Sequence, residues 1–126
     1  MSEDLLTFSE HDWPLSNDEF LERLRADWPV TRVATMHLEG DPVFGTPPSD
    51  LVMVDLALTE RLPEITYCPR KASFDPGDVP LWAPVLAWFR RQVPGTLYLM
   101  YTGAPVEVTI PVGATVDDIL ALRSRM

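Results

Sequence analysis

The sequence predicts a single α+β domain, with helices packed on one face of a largely antiparallel sheet. Apolar residues recur with a helical period in bounded segments and with a strand period in others, and the strands come in runs. A length of 126 residues suffices for one self-contained core, and a hydrophobic share of 46% with a charged share of 23% is ordinary for a globular chain. The densest apolar stretch, residues 81–93, passes through Pro94-Gly95 into a second one at residues 96–102. On a helix, Leu81, Trp82, Val85, Leu86, Trp88, Phe89 and Val93 share one arc of about 160°. This segment is read as the centre of the core.

The elements are expected in the order (β)αβββαββα. Residues 4–8 read as a short strand within an N-terminal segment, residues 1–14, that is expected to be loosely ordered. Ser16 and Glu19 have the spacing of a capping box, with Leu15 and Phe20 at the two staple positions around it. Phe20, Leu21, Leu24 and Trp28 then form one stripe, and Pro29 ends the helix. Residues 30–38, 51–58 and 65–68 alternate as strands. Between the first two lie residues 39–50, with Pro42, Pro47 and Pro48, read as a structureless loop of the kind that is often functional.

Residues 69–80 read as a second irregular loop. Proline fits a helix only in its first turn, so Pro84 places the start of the central helix near Pro80 to Trp82. Residues 96–102 and 106–110 read as a hairpin across Gly103-Ala104. Thr115 caps a last helix that ends near Arg125, with Val116, Ile119, Leu120 and Leu122 as its apolar contacts.

Charge narrows the function classes. The net charge is −9, and it is uneven: residues 1–64 hold 14 acids against four arginines, whereas residues 65–126 hold 5 acids and 6 bases. Nucleic acid is excluded as an expected partner, because phosphate recognition needs a basic footprint. No apolar run approaches the roughly 20 residues of a membrane span. Met1-Ser2-Glu3-Asp4 lacks the basic start of a signal peptide, and the single Cys68 gives neither a disulfide framework nor a zinc spacing. These features point to a cytoplasmic protein without a membrane association.

No P-loop, GxGxxG, HExxH or Gly-x-Ser-x-Gly motif is present. His37, Asp55 and Cys68 are the parts of a thiol–imidazole nucleophile and fall on three successive strands, but their spacing is no signature. The two histidines and scattered acids suggest no metal site, and no cofactor is expected. The expectation is a non-enzymatic protein-interaction domain: an acidic immunity or antitoxin-type inhibitor, as in bacteria, that occludes a basic protein partner such as a toxin. Asp12, Asp18, Glu22, Asp27, Glu39, Asp41 and Asp50 are the carboxylates expected to meet that partner. Trp13 and Trp88 are its expected aromatic contacts, since tryptophan is favoured at interface hot spots. The alternative is a small-ligand-binding or minor enzymatic domain with a pocket between the sheet and helix 81–93, near His37, Asp55 and Tyr67. A self-assembling subunit is a third option, the oligomeric state being open.

Overall fold

The computed structural model describes residues 3–104 and 106–126. In chain order the elements are β1 (Leu5–Phe8), α1 (Asn17–Asp27), β2 (Val30–Leu38), β3 (Ser49–Leu56), β4 (Glu64–Cys68), β5 (Lys71–Asp75), α2 (Val79–Gln92), β6 (Tyr98–Tyr101), β7 (Val108–Thr109) and α3 (Val116–Leu122). A 3₁₀ turn, Arg123–Arg125, follows α3. Among the described residues the seven strands form one sheet in the order β2-β3-β4-β5-β1-β6-β7, and every neighbouring pair is antiparallel. The expected α+β class, antiparallel sheet and single layer of helices are all present.

Three expectations about the strands need correction. Residues 71–75 are a strand, β5, and not part of a loop. Ala72 and Phe74 point into the core while Lys71 and Asp75 are exposed, so two inward residues suffice once both neighbours supply a ladder. The N-terminal segment is not loosely attached: β1 lies in the interior of the sheet between β5 and β6. Its Leu5 is fully buried, and the buried Thr7 hydroxyl donates to the Ala72 carbonyl at 3.4 Å. The strand expected at residues 106–110 is reduced to Val108–Thr109, and the expected turn includes Pro105, outside the described residues.

The helix ends follow the local signals with two differences. Ser16 Oγ accepts from the Glu19 amide at 3.1 Å, which is the forward half of the expected capping box. The complete reciprocal box occurs instead at α3, where Thr115 Oγ1 accepts from the Asp118 amide and Asp118 Oδ2 accepts from the Thr115 amide. Pro84 sits inside α2, beyond the first turn. It is tolerated because Pro84 and Pro80 both lie on the exposed side, where water can satisfy the carbonyl left without a partner.

The helices cover the face that carries Leu5, Val52, Val54, Leu56, Ile65, Tyr67, Ala72, Phe74 and Leu99. Phe20 of α1 stacks on Tyr67 at 3.9 Å between ring centroids and 2° between planes. The Tyr67 hydroxyl donates to the Leu15 carbonyl at 2.7 Å, and burial pushes its pKa up, so it remains a neutral donor. Trp82 of α2 meets Phe74 edge-on at 5.1 Å, and its indole N–H donates to the Pro76 carbonyl at 2.7 Å. Aromatic side chains of this size bury about 150–250 Å² each, which makes this layer the main apolar contribution to stability. Arg90, only 4% exposed, donates from Nη2 to the Gly95 carbonyl at 2.6 Å and ties the end of α2 to the turn before β6.

Among the described residues, no helix packs on the opposite face of the sheet. Its side chains come from alternate positions: Arg32, Ala34, Met36 and Leu38 of β2, Leu51, Met53 and Asp55 of β3, then Glu64, Thr66 and Cys68 of β4. Lys71, Ser73 and Asp75 of β5, Leu6 and Phe8 of β1, and Tyr98 and Met100 of β6 also lie on it. None of the described helices is long and apolar enough to cross a membrane.

Candidate protein-interaction surface

The two longest strands, β2 and β3, form a hairpin arm at one side of the sheet, paired from Val30↔Leu56 to Leu38↔Ser49. The connection between them was expected to be structureless. It is instead a second, tighter turn: the Asp41 amide donates to the Thr46 carbonyl at 2.8 Å, and the Thr46 amide returns the bond at 2.9 Å. Asp41 Oδ1 accepts from the Val43 amide at 2.9 Å, the local side-chain turn that aspartate favours. Gly45 closes the turn at φ 69°, a conformation that is costly for other residues. Held in this way, Val43 and Phe44 stand in solvent at 84% and 83% exposure. An exposed valine–phenylalanine pair on an internally bonded tip is the clearest departure from ordinary surface burial in the molecule.

Carboxylates surround the turn end of this arm. His37 Nδ1 lies 2.6 Å from Asp50 Oδ1 and its Nε2 lies 3.4 Å from Glu39 Oε1, so the ring is held between two acids. The Asn17 side chain donates to the Asp50 carbonyl at 3.0 Å, joining β3 to the first turn of α1. Asp18 and Asp50 consequently line one open depression of 520 Å³, together with Ser16, Asn17, Pro48, Ser49 and Pro69. Asp18, Glu39, Asp41 and Asp50 thus belong to one acidic region, with the exposed Glu22 one helical turn beyond Asp18.

The other expected contact residues are placed differently. Asp12 pairs with Arg70 at 2.9 Å, across the turn between β4 and β5. Asp27 accepts the Trp88 indole N–H at 2.7 Å, so its carboxylate is engaged within the molecule. Trp13 and Trp88 were expected on the surface; they are 4% and 3% exposed and have almost no surface to offer a partner. Trp13 packs on Tyr67 and Phe89 and donates to Ser9 Oγ at 2.8 Å, while Trp88 packs against Trp28 and Phe20. Each ring is covered by residues distant in sequence, and each indole N–H finds an acceptor without leaving the core.

His37, Asp55 and Cys68 do not assemble. His37 pairs with Asp50 on the helix-bearing side, whereas Asp55 and Cys68 lie on the uncovered side. Tyr67 belongs to the helix-bearing side as well, and its hydroxyl is occupied by Leu15. Among the described residues, no group of three or more histidine, cysteine, aspartate or glutamate side chains is placed to hold a metal ion.

Two features of the uncovered face escaped sequence reasoning because β5 did. Register places Arg32 opposite Asp55, Asp55 opposite Glu64, and Glu64 opposite Asp75. Asp4 adjoins Asp75, which makes a row of four carboxylates ending in one arginine. Partial burial, with Asp55 and Asp75 nearby, holds the Glu64 carboxyl above its ordinary value; partial burial and Asp75 do the same for Asp4. At the other end of the face lies an apolar groove of 590 Å³. Leu6, Phe8, Cys68 and Met100 form its apolar side, with Pro47, Pro48, Arg70 and Lys71 among its other lining residues. Where a pocket was expected, between the sheet and helix 81–93, Trp82, Phe89, Phe74 and Tyr67 pack ring against ring. No family model, curated protein or solved structure matches this chain.

Proposed function

We propose that the chain is a non-enzymatic protein-interaction domain of the immunity or antitoxin type, which binds a basic protein partner and blocks its working surface. The observation that carries this reading is the β2–β3 tip, where Val43 and Phe44 stand exposed on a bonded turn among Glu39, Asp41 and Asp50. A net excess of acidic charge raises the encounter rate with a cationic surface. An aromatic side chain carried on a backbone already fixed by hydrogen bonds loses less conformational freedom when a partner's pocket takes it up than one on a free loop. A single free cysteine suits a reducing, cytoplasmic setting.

The test is capture by the tagged chain from lysate of its native cell at low and high salt, alongside a variant carrying Asp18→Lys and Glu39→Lys. The expected result is one stoichiometric basic protein, lost at high salt and associating more slowly with the variant. Capture that is indifferent to both salt and charge reversal would sink the electrostatic reading.

The groove on the uncovered face supports a second reading, the binding of a small amphipathic ligand. Its apolar side and the nearby Lys71 suit a molecule with an apolar body and an anionic end. A thermal shift by such a compound, insensitive to charge reversal at Asp18 and Glu39 and abolished by Leu6→Arg, would favour it over the protein partner.

A further inference from the structure

The two edges of the sheet are protected very unequally. The β7 edge is two residues long and is followed after one residue by Pro111, which cannot extend a ladder. The β2 edge is nine residues long and, among the described residues, pairs with β3 alone. It contains neither proline nor lysine, the usual guards of an exposed edge, and its only irregularity lies between Val30 and Arg32. From Arg32 to Leu38 its outer side therefore presents a regular row of unpaired amides and carbonyls.

We infer that β2 accepts an extended basic segment of the partner protein as an eighth strand of the sheet. This rests on the reading of the chain as a binder of a basic protein, and it names the mode of contact. Main-chain bonds supply affinity in such strand addition, and alternate side chains supply selectivity. On the uncovered side β2 presents Ala34, Met36 and Leu38, the last two each 44% exposed. On the helix-bearing side it presents Val33, Thr35 and His37, backed at one end by Asp50 and Glu39. The incoming strand therefore alternates, with apolar residues beside Met36 and Leu38 and away from Arg32. On its other side is a lysine or arginine long enough to reach past His37 toward Glu39 and Asp50. A second copy is the poorer occupant, because two chains of net charge −9 would meet edge to edge.

The probe is an end-capped nine-residue peptide of alternating lysine and valine, added to the full chain at low salt and read by amide hydrogen exchange. Two control peptides accompany it, one with every second amide N-methylated and one with glutamate in place of lysine. At a free peptide concentration of about ten times its Kd, the outward-facing amides of β2 slow about tenfold, while the N-methylated and glutamate peptides leave them unchanged. Absence of protection, protection confined to α1 or to the 41–46 turn, or equal binding of the N-methylated peptide would each overturn the inference. Concentration-dependent dimerisation that protects the same amides without peptide would overturn it in favour of a second copy. A captured, salt-sensitive basic partner that leaves β2 unprotected would sink the strand-addition mode and keep the proposed function. Peptide protection of β2 with no basic partner captured would do the reverse.

Discussion

Trp88 of α2 donates its indole N–H to Asp27 Oδ2, at the last residue of α1, over 2.7 Å. The bond joins the end of α1 to α2 and gives an exposed carboxylate a buried ring to hold. Removing the acceptor leaves a shielded donor without a partner, a loss of about 1–3 kcal/mol. Asp27→Ala is therefore expected to lower unfolding free energy by that amount in chemical denaturation, with Asp27→Asn in between. Neither substitution is expected to change the salt dependence of partner capture, because this carboxylate works inside the molecule.

The carboxylate row on the uncovered face makes an opposite kind of prediction. Glu64 has its pKa raised by desolvation and by Asp55 and Asp75, so ionising it costs more in the folded chain than in the unfolded one. That cost is absent below the ordinary value of 4.5, grows as pH rises through it, and is complete above the raised value. Glu64→Gln should accordingly raise the melting temperature at pH 7, and the gain should vanish as pH falls below the ordinary value. A gain that persists undiminished in acid would assign the effect to packing.

Val43 and Phe44 touch too little of the fold to support it. Changing both to serine is expected to leave unfolding free energy within about 0.5 kcal/mol of the parent. The same change should weaken the captured complex by about 2 kcal/mol or more, near thirtyfold in Kd, if this pair is the anchor. Calorimetry on the purified pair separates the two quantities.

Phe20 lies at the opposite extreme. It is fully buried and stacked flat on Tyr67, so Phe20→Ala is expected to cost about 3–5 kcal/mol by loss of burial and creation of a cavity. Denaturant titration, with the slope checked against the parent, reads this directly.

Phe20 also illustrates which parts of the fold were legible in the sequence. Its helix could be read because the signals are local: Ser16 before it, Leu15 and Phe20 as staple positions, and Pro29 after it. β5 could not, since Lys71–Asp75 offers only Ala72 and Phe74 to the core and its strand character comes from Tyr67 and Leu5 on either side. The same limit hid the carboxylate row, which exists only through the register of β5. Trp13 looked like a surface residue because its neighbours in sequence are acidic; Tyr67 and Phe89, which cover it, lie more than fifty residues away. At the β2–β3 connection the turn-forming residues were visible, but twelve residues rich in proline concealed that Asp41 and Thr46 would find each other. The acidic asymmetry was legible from composition, whereas the engagement of Asp12 with Arg70 and of Asp27 with Trp88 required three dimensions.

The place of β1 between β5 and β6 has a consequence for the chain while it is being made. Leu5–Phe8 is made before the other six strands of this sheet, yet its partners are Lys71–Asp75 and Tyr98–Tyr101. The hairpin of β2 and β3 can close early, from near neighbours, while β1 waits for both of its partners to be translated. The sheet is completed by an event that spans most of the sequence, so closure is expected to be the slow step of folding. During that wait the nascent chain carries an unpaired Leu-Leu-Thr-Phe segment, an apolar strand open to a chaperone until its partners arrive.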